Sequence, residues 1–127
     1  MRWSHAQLVP LFLWSQAIAV AVWWLTLWWA PALRPWFVIG DWPPATLFAF
    51  ALPDGLVIVL GSATVAFGLQ HRWAWASPLL CALAGAVVYA TLWCVGANLT
   101  TGTGWLSTSL MLVSGVGTVW ALGASKS

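Results

Sequence analysis

Pro53-Asp54-Gly55-Leu56-Val57-Ile58-Val59-Leu60-Gly61 sets a carboxylate inside an apolar run, with a proline before it and a glycine closing it. How this stretch is read decides the architecture. As the interior of a lipid-immersed helix, a charged residue costs between about 2.5 and more than 10 kcal/mol. Asp54 must then be neutralised, hydrogen-bonded or useful.

The composition supports that reading. Of 127 residues, 62% are hydrophobic and 5% are charged, with a net charge of +2. A soluble domain carries roughly 25% charged residues, because its surface faces water. This chain cannot cover itself that way, so membrane spans are the units to count. The length allows one helical domain. No basic or acidic run is present, which excludes nucleic acid as a partner.

Working outward from Asp54, the sequence predicts four spans at about residues 8–30, 45–69, 73–96 and 105–123. Pro43 and Pro44 suit the first turn of the second span, and Gln70-His71-Arg72 makes a tight turn after it. The first span exceeds the 7–15 residues of a signal-peptide core, so it is expected to remain uncleaved. Trp23, Trp24, Trp28 and Trp29 are expected to mark a membrane interface. Four prolines between residues 31 and 44 break regular helix, and the interleaved aromatics suggest a segment lying along that interface. Gly96 to Gly104 reads as a polar loop, within which Asn98-Leu99-Thr100 is a chance glycosylation sequon. The expected fold is thus an all-α membrane protein, a four-transmembrane-helix bundle with both termini on the cytoplasmic side. Arg2, Arg72 and Lys126 on that side against Arg34 on the other set the orientation, and a bacterial inner (plasma) membrane is the expected location. Cys81 and Cys94, thirteen residues apart on one helix, are about 20 Å apart and cannot form a disulfide.

Helical rise places Asp54 about 13 Å, Tyr89 about 10 Å and Ser114 about 13 Å below the same end of the bundle. Gln16 lies considerably deeper. Asp54, Gly61 and Gly68 share a face of the second span; Ser107, Ser114 and Ala121 share one of the fourth. Cys81, Gly85, Tyr89 and Trp93 recur at a four-residue spacing on the third. Small residues allow close helix approach, and buried polar groups then pair across the interface. The expected polar or ligand-binding cluster is therefore Asp54, Tyr89, Ser114, Trp93 and Asn98. Asp54 is expected there as a protonated acid donating to a carbonyl or hydroxyl, and Pro53 is expected to kink its helix.

Other chemistries find little support. His5 and His71 have no companions at metal or haem spacing, so no metal site and no cofactor are predicted; a bound lipid, quinone or pigment remains compatible with the composition. Serine, cysteine and histidine never converge at one depth, which removes triad-type catalysis. Thirteen tryptophans exceed the need of two interfacial belts and suggest a lateral surface that packs on other membrane helices. The leading expectation is a non-catalytic accessory subunit of a larger membrane complex, linked to quinones, pigments or electron transfer, with the bilayer and other membrane subunits as partners. The alternative is a small intramembrane isomerase, cyclase or binding protein for an isoprenoid or sterol-like lipid. In that case Asp54 is the acid, assisted by Tyr89. A lipid-accessible cavity of at least ~300 Å³ beside Asp54 favours the alternative.

Overall fold

The computed structural model describes residues 4–125, except the side chains of residues 5 and 6. Helices and turns make up these residues, with no strand among them. Four segments are long and apolar enough to cross a membrane: Gln7–Trp29, Pro44–Gln70, Ala76–Thr101 and Trp105–Ala124. Each packs on the next in chain order, and the first closes on the fourth. Arg2 and Lys126, two of the three cations behind the expected orientation, lie outside the described residues.

Local chemistry explains where the helices begin and end. Ser4 and Gln7 form a capping box at the first helix, so backbone donors of its first turn are met by side chains. At its far end, Arg34 folds back from the 3-10 turn Pro31–Trp36. It donates to the carbonyls of Leu27 (2.9 Å) and Trp28 (3.0 Å). Between the second and third spans, Trp73 N–H reaches Gly68 O and Arg72 N–H reaches Leu69 O. This paired return closes a helix, and it holds Arg72 at φ 56°, where glycine is the usual occupant.

Two expectations need correction. The third span does not stop at Gly96 but runs five residues further, to Thr101. Thr100 and Thr101 turn their hydroxyls back to the carbonyls of Gly96 and Ala97, so the polar run stays helical until left-handed Gly102 ends it. The glycosylation match therefore lies within a helix. The second span is also not uniform. It starts as 3-10 helix (Pro44–Ala49), passes through one α-turn (Ala51–Pro53), widens to π-helix over Asp54–Leu60, and is α-helical from Gly61 to Gln70. The irregularity expected of Pro53 thus takes the form of a change of helix type. A proline withholds the donor that would fix the α-register, and π-geometry follows directly on it.

The apolar core gathers at one end. Val9 and Leu13, Ile58, Val65 and Ala66, Leu80, Leu83 and Val87, and Ala121 pack together there, towards the end where the first helix begins and the fourth span finishes. Within this half, Gln16 donates to Ser62 (3.0 Å) and accepts from Ser114 (3.0 Å) and Thr118 (3.1 Å). One amide therefore joins three spans. Thr91 ties the remaining one, donating to Met111 O at 3.0 Å. Gly115 lies against it: a Cβ there would come within 2.8 Å of the Thr91 hydroxyl. The spacing stripe on the third span is the opposite of that expected. Cys81, Gly85 and Tyr89 are exposed and Trp93 is only partly covered, whereas Leu80, Ala84, Val87, Thr91 and Asn98 are buried.

Cross-helix hydrogen bonds between membrane spans average about 0.6 kcal/mol each. Gln16→Leu removes three of them, so a loss of about 2 kcal/mol is expected when unfolding in mixed micelles is followed by circular dichroism.

Candidate functional site

The half of the bundle opposite the core is hollow. The third span packs mainly on Gly61–Gln70 of the second and only lightly on the π-segment, leaving a gap beside Asp54. The gap is a cavity of about 430 Å³, walled by all four spans and the segment between the first two. Its lining is chiefly aromatic and aliphatic, with Trp23 and Trp24 from the first span, Phe37 and Trp42 from the connecting segment, Phe50 from the second and Trp93 from the third. Trp42, Val57, Tyr89 and Trp93 line it and are also exposed, which places its mouth between the second and third spans.

The connecting segment is stapled across the top. Gly40 N–H donates to the Thr103 hydroxyl, and Ser107 donates to Phe37 O at 3.1 Å. Gly104 sits at φ 77°, and a Cβ there would lie 2.8 Å from Ile39 Cγ1. A side chain is disfavoured on both counts. Arg34 lies over the Phe48 ring at 4.8 Å while capping the first helix, so its charge is engaged away from the lining.

Asp54 is half-buried in the wall and accepts a hydrogen bond at Oδ2 from Trp24 Nε1 (3.2 Å). This corrects the expectation that the carboxyl donates to a carbonyl or hydroxyl: its partner is an indole, which can only donate. Tyr89, Cys94, Thr46 and Ser107 add further polar groups to the lining, and none of the described lining residues is basic. The Trp23 ring packs on Phe37 with centroids 4.5 Å apart, and its indole nitrogen is buried without a partner among the described residues.

Of the five residues expected to cluster, three meet at the cavity. Asp54, Tyr89 and Trp93 line it, although Tyr89 is 73% exposed and stands at the mouth. Ser114 and Asn98 do not. Ser114 belongs to the Gln16 network, and Asn98 is buried at its helix end, donating to Thr103 O at 2.6 Å. Trp23 and Trp24, expected at a membrane interface, turn inward; Trp28 and Trp29 alone of that group are exposed. His71 donates through Nδ1 to Phe67 O (2.8 Å) and stacks on Phe67 and Trp73. Among the described residues, no three His, Cys, Asp or Glu side chains are grouped to hold a metal. Cys81 and Cys94 are free thiols on one helix, the first exposed and the second half-buried.

Comparison with protein-family models, curated proteins and solved structures finds no match. The site must therefore be read from its own chemistry. It offers an apolar chamber with one acid in the wall and a sideways mouth. Tyr89 and Cys94 are the other ionisable side chains of the described lining.

The Trp24–Asp54 bond predicts an asymmetry. Trp24→Phe removes the donor and is expected to lower unfolding free energy by about 1 kcal/mol. Asp54→Asn keeps an acceptor oxygen for the indole and is expected to change it by less than about 0.5 kcal/mol. Paired denaturation curves in one detergent mixture check this; an Asn variant as damaged as the Phe variant contradicts it.

Proposed function

We propose that this protein is an intramembrane binding protein for an isoprenoid or sterol-like lipid, taken into the cavity between the second and third spans with its polar end at Asp54. The observation that carries this reading is the cavity of about 430 Å³ beside the only acid of the second span. Small-molecule sites are mostly apolar chambers of about 300–1,000 Å³ with a few placed polar groups, and this one fits the description. A side mouth suits a ligand that arrives through the bilayer. The four apolar spans agree with an integral membrane location; a bacterial plasma membrane with cytoplasmic termini is the placement we favour, on Arg72 together with Arg2 and Lys126.

An accessory-subunit role rests on the lack of recognisable catalytic motifs together with the surplus of tryptophan. Its support is weakened because Trp23, Trp24, Trp42 and Trp93 line this chain's own cavity. Trp28, Trp29, Trp36 and Trp105 at one end and Trp73, Trp75 and Trp120 towards the other have the exposure of two interfacial belts. No reaction is assigned. Asp54 and Tyr89, the pair an isomerase reading would use, serve here as polar anchor and mouth residue.

The test is gentle purification from the native membrane followed by mass spectrometry of what stays bound. One lipid-like molecule per chain is expected, and it should be lost from Ala90→Trp, which fills the cavity wall while leaving the Gln16 network untouched. Stoichiometric protein subunits with an empty cavity would overturn the proposal in favour of the accessory role.

A further inference from the structure

We infer that the cavity selects a ligand whose polar end is a basic nitrogen, an amphipathic amine carrying a positive charge, and that it rejects anionic lipids. This rests on the reading of the cavity as a lipid-binding site and narrows the ligand by charge. The argument begins with what Asp54 lacks. A carboxyl at this depth is expected to be paired with an opposite charge or a metal, or held neutral. Its hydrogen-bond partner here is the neutral indole of Trp24, and the described lining contains no basic residue. Of the described basic residues, Arg72 lies in the turn at the other end of the bundle. Arg34 is engaged with the Leu27 and Trp28 carbonyls and the Phe48 ring. The described residues therefore supply no counter-charge, and a cationic ligand would.

The walls favour the same sign. Trp24, Trp42, Phe50 and Trp93 line the chamber, and aromatic faces carry the negative part of the ring quadrupole, which attracts ammonium groups. Trp42 and Phe50 both pack against Trp93, with centroids 6.2 and 5.2 Å apart. These rings form one continuous surface close to the mouth. An incoming ammonium would pass over ring faces and end at a carboxyl oxygen, with its hydrocarbon body in the apolar remainder. A carboxylate or phosphate head would meet the same ring faces with no cation in the described lining to receive it, so it should bind weakest. A neutral alcohol can hydrogen-bond to Asp54 but gains nothing from the rings, so it should rank between the two.

Cys94 supplies a local readout, because it lines the cavity, while Cys81 is exposed on the same helix and serves as the internal reference. The full chain would be reconstituted in phosphatidylcholine vesicles. Alkylation of both thiols by N-ethylmaleimide would be followed by mass spectrometry with farnesylamine, farnesol or farnesoic acid at equal measured mole fractions in the bilayer. These probes share one isoprenoid body and differ in head group. Farnesylamine is expected to slow Cys94 alkylation at a concentration about tenfold below that needed with farnesol, with no effect of farnesoic acid and no change at Cys81. In Asp54→Asn the amine should lose its advantage while farnesol still protects. Equal protection by all three, or strongest protection by the acid, would overturn the amine inference but leave lipid binding standing. Protection by none, with Cys94 reacting freely, would overturn both.

Discussion

The Gln16 side chain holds the bundle together at one end, and the opposite end is shaped by what it leaves free. Its amide meets hydroxyls from the second and fourth spans, Ser62 on one side and Ser114 with Thr118 on the other. In hydrocarbon a polar group has no water to fall back on, so such a knot fixes both register and rotation of the spans that join it. The main apolar cluster packs alongside this knot, with Ile58 at its border lining the cavity as well. The third span is not part of this knot, and it packs only lightly on the π-segment, which leaves the gap beside Asp54.

Pro53 widens that gap. Because it cannot donate, the turn that follows is free to take the looser π-register, and Asp54 is the first residue of that register. The widened turn presents Asp54, Val57 and Ile58 to the cavity, opposite Ala86 and Ala90 of the third span. Two alanines facing a widened helix leave space that larger residues would have filled. The staple through Gly40, Ile39 and Gly104 then closes the top, so the opening is sideways.

Much of this was legible in the sequence, and the failures share a cause. Hydropathy located all four spans because length and apolarity are properties of a segment by itself. Asp54 stood out as the acid that needed an account, and Tyr89 and Trp93 line the same cavity. The errors came from assigning faces by spacing alone. Helical spacing groups Cys81, Gly85, Tyr89 and Trp93 on one side but does not say which side packs, and in lipid both sides are apolar. Depth counting paired Ser114 with Asp54, whereas Ser114 bonds to Gln16, whose amide has the acceptor and donor that several hydroxyls need at once. Trp24 was missed because tryptophan near a span end is ordinarily an interfacial anchor. The available signal was chemical: a buried carboxyl wants a donor, and the indole is a donor that hydrocarbon tolerates.

That pairing also bears on why the acid can be kept at all. An ion pair made within the chain would satisfy Asp54 permanently and close the site, since both charges would be desolvated together and held. An indole does less: it orients one oxygen and leaves the remaining capacity of the carboxyl available. The first span can hold Asp54 in place through Trp24, while the second and third spans keep the cavity open in front of it. A purely structural carboxyl would be better served by packed neighbours on every side, as Gln16 is. The contrast between the two polar groups, one fully bonded among close-packed helices and the other half-bonded at the wall of a chamber, fits a stabilising role for the first and supports the recognition role proposed for the second.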